Sequence, residues 1–383
     1  MKILTIIGAR PQFVKAAVVS RAISSYNEKN PANQIVEVLV HTGQHYDSNM
    51  SDVFFQEMRI PVPNYNLGIG GGSHGSMTGK MLEGIEDVLI KEKPDVLLVY
   101  GDTNSTLAGA LAAVKIHVPV AHVEAGLRSF NMKMPEEINR ILTDRISNWL
   151  FCPTEVAVAN LRSEGISSDS SQSNNSSQFN HSNNSNNFRV LNVGDVMYDA
   201  ALYYKNIAKP SEMVANLLND YAQGFYLATV HRAENTDDRA RLGGILDSLD
   251  KISINKPVIL PIHPRTKKMI SDYGIKVRNI HLIDPIGYFD MITLLSSCHG
   301  VFTDSGGVQK EAYFFHKPCI TLREETEWVE LVNHGFNKLV GANPELILNA
   351  EQAFSKDKLD FSIALYGDGD AGGKIVNHLV SAQ

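Results

Sequence analysis

The sequence predicts an α/β protein of two similar domains, each built around a parallel sheet. Three observations lead to this prediction. Short β-rich apolar runs alternate with segments of helical spacing up to about residue 165, the same alternation starts again after residue 188, and a stretch rich in Ser and Asn separates the two series. Alternation of this kind is typical of βαβ units. A chain of 383 residues also exceeds the size at which one hydrophobic core usually stops growing.

The first series contains four clear strand candidates and two clear helix candidates. The strands are predicted at Ile3–Ile7, Ile35–Val40, Val96–Tyr100 and Val118–Val123, and the helices at Met77–Lys91 and Thr103–Lys115. The strands are short, apolar and bounded by Gly or polar residues, whereas the helices carry apolar residues at a spacing of three and four.

The second series has five strand candidates separated by helical segments. They are Phe225–Val230, Pro257–Pro261, Ile280–Ile283, Val301–Thr303 and Cys319–Leu322. Between the two series, Ser167–Asn187 consists almost entirely of Ser, Asn, Gln and Asp, and Phe179 is its only large apolar residue. Such a composition cannot bury enough apolar surface to offset the entropy of ordering, so we predict a disordered or loosely held insertion.

Composition and charge disfavour several classes of protein, namely membrane-spanning, nucleic-acid-binding and disulfide-rich secreted proteins. The apolar fraction of 43% and the charged fraction of 20% fit an ordinary globular protein, and no run of about 20 apolar residues predicts a membrane span. The net charge of −7 disfavours broad binding to nucleic acid. The first residues lack the pattern of a signal peptide, and the three cysteines have no CxxC spacing, so we expect a cytoplasmic protein without a disulfide framework.

The most informative motif is Ser305-Gly306-Gly307, which follows the strand candidate Val301–Thr303 at the point where a helix is predicted to begin. Glycines allow backbone N–H groups to approach a phosphate closely, and the positive end of the helix dipole favours an anion there. The motif therefore fits a diphosphate cradle. A tight strand-to-helix turn that needs glycine for its own sake is the alternative.

Polar residues follow the other strand candidates, where open parallel sheets bind their ligands. Arg10 and Lys15 follow the first strand and offer two cations for a phosphate or carboxylate, unless they are only solvated charges at a helix start. Histidines follow two strands of the second series. His231 can donate a proton to a leaving group or pair with a diphosphate, and His263 is a second candidate, although either can be a structural histidine.

Three carboxylates follow strands of the first series. Asp102 stands after Val96–Tyr100, Glu124 directly after Val118–Val123, and Glu136 a little further on. Together they could surround one reacting carbon, with mutual repulsion separating their pKa values. Singly, Asp102 could be a helix cap, and Glu136 could form an i,i+4 salt bridge with Arg140.

Several site classes are disfavoured by the absence of their motifs. The sequence contains no HExxH, no Cys/His cluster and no close set of acidic ligands, so we expect no bound metal. It also lacks the GxGxxG fingerprint after a strand, the Walker A pattern and the GxSxG elbow. We therefore expect no nicotinamide or other cofactor.

The motifs also occur together in one known family, in the same order and over nearly the whole chain apart from the Ser/Asn-rich stretch. They are Gly8–Gln12, Gln44–His45, Gly101–Thr103, His122–Arg128, Pro135–Arg140, His231–Arg232, Thr303–Gly307 and Tyr366–Gly369. This set resembles the non-hydrolysing UDP-N-acetylglucosamine 2-epimerases. The strings Gly-Ala-Arg-Pro-Gln-Phe and Thr-Glu-Trp-Val-Glu are more similar to the subgroup that epimerises UDP-2,3-diacetamido-2,3-dideoxyglucuronate.

The resemblance implies a fold of two Rossmann-like, doubly wound domains that face each other across a cleft, as in the glycosyltransferase-B class. The expected boundaries are 1–166 for the N-terminal domain, 167–188 for the insertion, 189–365 for the UDP-binding C-terminal domain and 366–383 for a helix that returns to the N-terminal domain. A UDP-sugar is the implied partner. We further expect a homodimer with no nucleic-acid or membrane partner.

The resemblance also implies roles for residues. The family removes the C2 proton, expels UDP to leave a glycal and adds UDP back with C2 inverted. Asp102, Glu124 and Glu136 match its catalytic acids, with Asp102 or Glu136 as the candidate for C2 proton transfer, and His231 matches the group that supports UDP departure. The residues expected to bind the substrate are Arg10, Lys15, Arg140, His263, Ser305, Gly306, Gly307 and Glu311, the last as a ribose ligand.

Three positions depart from the family pattern. Ala9 stands where many members have Thr, Ile286 replaces a frequent Gln, and Trp328 occupies the place of an Arg that precedes Pro. The leading hypothesis is non-hydrolysing 2-epimerisation of a UDP-N-acetylhexosamine, or of the diacetamido-glucuronate, for surface polysaccharide precursors. The alternatives are a hydrolysing 2-epimerase that releases UDP, a UDP-sugar transferase of the same fold and a non-catalytic sensor of sugar nucleotides.

Overall fold

A computed structural model describes residues 1–44, 60–168, 188–356 and 358–382, with the side chain of Arg10 excepted. The described chain divides into two units: Met1–Ala200 with Leu365–Gln383, and Ala201–Ala364. Nearly all of the predicted insertion falls at 169–187, outside the described residues, as does His45.

The first unit alternates strands and helices. In chain order its elements are β1 (Lys2–Ile7), α1 (Arg10–Lys29), β2 (Val36–His41), β3 (Tyr65–Asn66), α2 (His74–Glu92), β4 (Val96–Tyr100), α3 (Asn104–Lys115), β5 (Val120–Val123), α4 (Pro135–Ile146), β6 (Trp149–Cys152), α5 (Glu155–Ser163), β7 (Arg189–Asn192) and the start of α6 (Val196–Ile207). The last helix of the chain, α15 (Ala371–Val380), lies against α1 in the same unit.

The second unit repeats the alternation. Its elements are α7 (Glu212–Asp220), β8 (Tyr226–Thr229), α8 (Ala233–Thr236), α9 (Arg239–Ile252), β9 (Val258–Pro261), α10 (Pro264–Asp272), β10 (His281–Ile283), α11 (Tyr288–Ser297), β11 (Gly300–Thr303), α12 (Gly306–Phe314), β12 (Cys319–Thr321), α13 (Val329–Asn333), β13 (Asn337–Leu339) and α14 (Pro344–Phe354).

Both sheets are parallel and doubly wound, which confirms the predicted fold class. The first has the strand order β3-β2-β1-β4-β5-β6-β7 and the second the order β10-β9-β8-β11-β12-β13. In each sheet the chain winds outward in one direction and then returns to wind in the other, so the order reverses between β1 and β4 and between β8 and β11. Loops at the carboxyl ends of strands beside such a reversal form the usual ligand crevice of these folds.

The strands predicted from apolar runs are confirmed to within one or two residues at each end. They are nearly continuous apolar segments because both faces of a parallel sheet are covered by helices. In β4, for example, all five residues from Val96 to Tyr100 are buried. The strands without a distinct prediction are β3, β6, β7 and β13, of two to four residues each.

The boundary after the insertion differs from the sequence expectation. Residues 189–200 group with the first unit, because β7 pairs in parallel with β6 through Trp149 opposite Arg189 and the residues that follow. The Ser/Asn-rich stretch therefore interrupts a strand-helix-strand crossover between β6 and β7.

None of the helices in the described parts of the chain has the length and apolar content needed to cross a membrane.

Candidate functional site

Gln12 organises the loop that follows β1. Its side-chain oxygen accepts hydrogen bonds from the backbone N–H groups of Gly8 at 2.8 Å and Ala9 at 2.9 Å, and its amide nitrogen donates to the carbonyl of Tyr100 at 2.8 Å. Gln12 is 2% exposed. The buried amide thus connects the loop after β1 to the end of β4. These are the two strands between which the strand order reverses. Sequence reasoning gave Gln12 no role.

Lys15 and Glu124 meet at this edge of the first sheet. The ammonium group of Lys15 forms an ion pair with the Glu124 carboxylate, and their side chains are 11% and 10% exposed. Glu124 has a backbone φ of 71°, a left-handed conformation that is uncommon for a residue other than glycine. Strained backbone of this kind tends to occur at functional sites, where the surrounding structure holds it in place.

Gly101 packs closely under this ion pair. A Cβ atom at Gly101 would lie 3.2 Å from Oε2 of Glu124 and 3.3 Å from Nζ of Lys15, and its φ of 62° also favours glycine. The carbonyl of Gly101 accepts a hydrogen bond of 2.7 Å from Nε2 of His122. His122 is fully buried in β5 and places its Nδ1 2.7 Å from Asp144 of α4. His122 thereby fixes the backbone beside the carboxylates, a role that was not predicted for it.

Asp102 pairs with Arg140 rather than capping a helix. The Arg140 guanidinium contacts Oδ2 of Asp102, whose side chain is 31% exposed. Thr103 is the N-cap of α3 and accepts from the backbone N–H of Thr106 at 3.3 Å, so the alternative that Asp102 caps this helix is wrong. The other terminal nitrogen of Arg140, Nη1, lies 3.2 Å from Oε2 of the buried Glu137. The guanidinium thus orients the accessible Asp102 carboxylate.

Glu136 stands apart from this arrangement. It is exposed in the first turn of α4, and among the described contacts it has no hydrogen bond or ion pair. The i,i+4 pair with Arg140 that its spacing allowed is not formed, because Arg140 is held by Asp102 and Glu137 instead. Arg10 is the first residue of α1, but its side chain lies outside the described part of the structure.

In the second unit, Asp304 organises the strand ends beside the sheet reversal. It is fully buried after β11 and accepts hydrogen bonds from the backbone N–H groups of His231 at 3.0 and 3.1 Å and of Arg232 at 3.0 Å. Asn235 donates to the same carboxylate at 3.2 Å. Asp304 therefore connects the end of β11 to the end of β8. Its position directly before Ser305 was the signal that could have identified it.

His231 is partly accessible and lies next to Asp304. Its Nδ1 is 3.4 Å from Oδ1 of Asp304, while its side chain is 43% exposed. The alternative of a buried structural histidine does not fit this exposure. His263 lies nearby, with ring centroids 6.1 Å apart, but its Nδ1 caps α10 by accepting from the backbone N–H of Arg265 at 3.2 Å. At least one nitrogen of His263 thus has a structural task.

The Ser-Gly-Gly motif forms the start of α12, as the sequence predicted. Ser305 is the N-cap and accepts weakly from the backbone N–H of Val308 at 3.5 Å. Gly306 is buried, whereas Gly307 is exposed and has no atom closer than 4.0 Å to the position that a Cβ would take. The first turn of a helix carries unpaired N–H groups and the positive end of its dipole, so this accessible turn can hold an anion.

Glu311 lies one turn further along α12, four residues after Gly307. Burial raises the pKa of its carboxyl to about 7, against the opposing effects of the positive charge on Lys310 and a hydrogen bond with Tyr288. A carboxyl with a perturbed pKa, on the same helix as a first turn that can hold an anion, is a candidate ligand for a polar group of the bound molecule. In the described residues no group of three or more His, Cys, Asp or Glu side chains could hold a metal ion.

Comparisons with known proteins identify the family of this chain. The sequence model of the UDP-N-acetylglucosamine 2-epimerase family matches residues 27–380. The UDP-2,3-diacetamido-2,3-dideoxy-D-glucuronate 2-epimerase of Pseudomonas aeruginosa is 53% identical over 380 residues, which cover 99% of each chain.

Solved structures match over the whole chain as well. UDP-GlcNAc 2-epimerase of Methanocaldococcus jannaschii, in complex with UDP-GlcNAc and UDP, superposes with a TM-score of 0.80 at 42% identity and full coverage of both chains. The enzyme of Neisseria meningitidis bound to UDP-GlcNAc gives a TM-score of 0.82 at 32% identity, again over both full chains. With these matches and the family match above, the chain belongs to the UDP-N-acetylglucosamine 2-epimerase family.

Proposed function

We propose that this protein is a non-hydrolysing 2-epimerase of UDP-sugars and that its substrate is a UDP-linked 2,3-diacetamido-2,3-dideoxy-glucuronate. The observation that carries the reaction class is the pair of carboxylates at the ends of the adjacent strands β4 and β5. Asp102 is held by Arg140 and Glu124 by Lys15. The 53% identity to the Pseudomonas aeruginosa enzyme over 99% of both chains supports the choice of sugar.

The proposed proton chemistry belongs to the first unit. Inversion at C2 requires a base that removes the C2 proton and an acid that returns a proton to the opposite face. Two carboxylates with different cationic partners can divide these tasks, since the environment of each sets its protonation separately. Asp102 is our candidate for C2 proton transfer because its side chain is the more accessible of the two. Glu136, exposed on the first turn of α4, is a second candidate.

The proposed handling of UDP belongs to the second unit. Loss of the C2 proton together with cleavage of the C1–O bond gives a glycal and UDP, and the diphosphate gains negative charge at the leaving oxygen. The start of α12 at Ser305–Gly307 offers N–H groups and a positive dipole end for that charge. His231, held next to Asp304, is placed to donate a hydrogen bond or proton to the leaving diphosphate.

Further residues complete the proposed binding set. We assign Arg10, Lys15 and Arg140 to anion binding and orientation in the first unit, and Glu311 and His263 to nucleotide contacts in the second. Arg10 and Lys15 lie on the first turns of α1, where the helix dipole adds to their charge. We further propose that the protein acts in the cytoplasm as a homodimer, without a cofactor.

A substrate comparison by NMR tests the proposal. The protein is incubated separately with UDP-2,3-diacetamido-2,3-dideoxyglucuronate and with UDP-GlcNAc, and the signals of the anomeric and C2 protons are followed. The proposal predicts that the diacetamido-glucuronate is converted to its C2 epimer with UDP still attached. Stoichiometric free UDP with a free sugar would indicate a hydrolysing epimerase, and UDP release that depends on an added acceptor would indicate a transferase.

A further inference from the structure

A three-residue segment after β12 is fastened to the first turns of α12. We call Thr326-Glu327-Trp328 the strap. The hydroxyl group of Thr326 donates to the side-chain oxygen of Gln309 at 2.7 Å, and the indole N–H of Trp328 donates to the carbonyl of Gly306 at 2.8 Å. Trp328 is 6% exposed and Gln309 is fully buried. These contacts hold the strap against the helix start that contains the Ser-Gly-Gly motif.

The strap gives the two glycines different tasks. A Cβ atom at Gly306 would overlap the carboxylate of Glu327, so a side chain at position 306 would displace that carboxylate. The carboxylate of Glu327 is itself paired with Arg323 at 3.0 Å. Position 307 is open, with Ser305 Oγ as the nearest atom at 4.0 Å. Gly306 therefore lies against the strap, whereas position 307 is open to an approaching anion.

Trp328 also lies beneath a buried cation. Nζ of Lys310 is 4.4 Å from the centroid of the indole ring, and Lys310 is 4% exposed. An indole face attracts an ammonium group, and the attraction is stronger when the pair is shielded from water. The ring thus holds a positive charge within the second turn of α12, in addition to the hydrogen bond made by its edge.

The hydrogen bond from Trp328 to the carbonyl of Gly306 affects the direction of the backbone N–H of Gly307. The carbonyl of Gly306 and the N–H of Gly307 belong to the same planar peptide unit and point in opposite directions. The helical backbone sets the plane of this peptide unit, and the hydrogen bond from the indole holds the carbonyl, and with it the N–H of Gly307, in that direction. That N–H is among the groups at the helix start that have no partner within the helix.

We infer that Trp328 is a positioning residue that aims the Gly307 N–H at the diphosphate and so retains UDP while the sugar is detached. This inference rests on the proposed function, since only a non-hydrolysing epimerase must keep its leaving group for the return step.

Trp328→Phe isolates the hydrogen bond, because Phe keeps a ring beneath Lys310 and lacks the N–H donor. The chain contains only two tryptophans, and the other one supplies a matched control. The indole nitrogen of Trp149 in β6 has no hydrogen-bond partner among the described residues. Trp149→Phe therefore removes an indole N–H without removing a hydrogen bond. Both variants are compared with the wild type for UDP affinity and for the ratio of released UDP to epimerised UDP-sugar.

For Trp328→Phe we expect UDP to bind about tenfold more weakly, the usual scale of one lost hydrogen bond, and the escape of UDP per turnover to rise severalfold. Trp149→Phe should match the wild type in both measurements. A packing role alone would lower stability without changing the escape ratio. Wild-type UDP affinity and wild-type escape in Trp328→Phe would overturn the inference.

A fluorescence titration keeps the inference testable if Trp328→Phe folds poorly. In Trp149→Phe, Trp328 is the only tryptophan, and we expect UDP alone to change its emission. An unchanged emission at UDP concentrations that saturate binding would contradict the inference. Failure of the proposed function has a different signature: the wild type would epimerise none of the UDP-sugars, although UDP still binds and still changes the emission of Trp328.

Discussion

The ammonium group of Lys15 forms an ion pair with the carboxylate of Glu124 at the point where the Glu124 backbone adopts a left-handed conformation. The pair links α1 to the end of β5 and lies over Gly101, at the end of β4. Helix α1 and the ends of β4 and β5 are thus fixed relative to one another around a nearly buried charge pair. Such a pair restricts Glu124 to one orientation, which a proton-transfer or substrate-orienting carboxylate requires.

Replacement of Lys15 by Met should lower kcat/KM by about 100-fold or more, because Glu124 then loses the ammonium group that orients it. Kinetics with the preferred UDP-sugar measure the effect. Lys29→Met, at the exposed end of the same helix, is the control and should behave as the wild type. A kcat/KM within twofold of the wild type in Lys15→Met would remove the ion pair from the account.

Asp102→Asn keeps the size of the side chain and removes its capacity to accept a proton. We expect kcat to fall by about 10²- to 10⁴-fold, the usual contribution of a general acid or base, while UDP affinity stays within about threefold of the wild type. Turnover assays and calorimetric titration with UDP provide the two values. The exposed Asp87→Asn on α2 is the matched control. Unchanged turnover in Asp102→Asn would refute the assignment.

Substitutions at His231 and at Asp304 should differ in their effects: the first should lower turnover alone, and the second should also lower stability. His231→Ala alters a half-exposed side chain, so turnover should fall by about 100-fold while the unfolding midpoint moves by no more than about 2 °C. Asp304→Ala leaves the backbone N–H groups of His231 and Arg232 without their acceptor. Each orphaned donor costs about 1–3 kcal/mol, so the second unit should also unfold at a clearly lower temperature.

The emission of Trp328 in a Trp149→Phe background reports unfolding of the second unit, in which Trp328 lies. Equal losses of stability in His231→Ala and Asp304→Ala would contradict the distinction between the two residues.

The raised pKa of the Glu311 carboxyl leads us to expect that the stability of the protein depends on pH. Its pKa is raised from 4.5 to about 7 in the folded protein, so between these values the folded state binds more protons than the unfolded state. Its contribution to stability is therefore fully present below about pH 4.5 and is lost as the pH rises through about 7. Denaturant midpoints at pH 5 and pH 8, followed by Trp328 emission, should differ less in Glu311→Gln than in the wild type.

The exposed Asp272→Asn serves as the control for this measurement and should retain the wild-type difference between pH 5 and pH 8. An equal difference in Glu311→Gln and the wild type would show that another group titrates in this range.

The sequence was sufficient to predict the elements whose pattern is local. The apolar runs gave β1, β4 and β8 because a strand buried on both faces is apolar throughout. Ser305-Gly306-Gly307 predicted a helix start because capping and glycine chemistry depend on adjacent residues. Composition marks an insertion before residue 189 but does not reveal that β7 pairs with β6 and that residues 189–200 group with the first unit.

Contacts between distant segments could not be read from spacing. Arg140 stands four residues from Glu136, yet it pairs with Asp102, which is 38 positions away. Gln12 reaches the carbonyl of Tyr100 across 88 positions, and Asp304 meets the His231 backbone across 73. Each of these partners depends on which strands are neighbours in the sheet. The order of the strands, and not the local sequence, decides which strand-end side chains meet.

The most direct test of the central claim is solvent exchange at C2. The protein is incubated in deuterium oxide with UDP-2,3-diacetamido-2,3-dideoxyglucuronate, and both epimers are recovered and examined by proton NMR and mass spectrometry. Removal of the C2 proton by a carboxylate and its return from the enzyme predict that the epimer carries deuterium at C2 while UDP remains attached to C1. Epimer formation with full retention of the original C2 hydrogen would contradict the account.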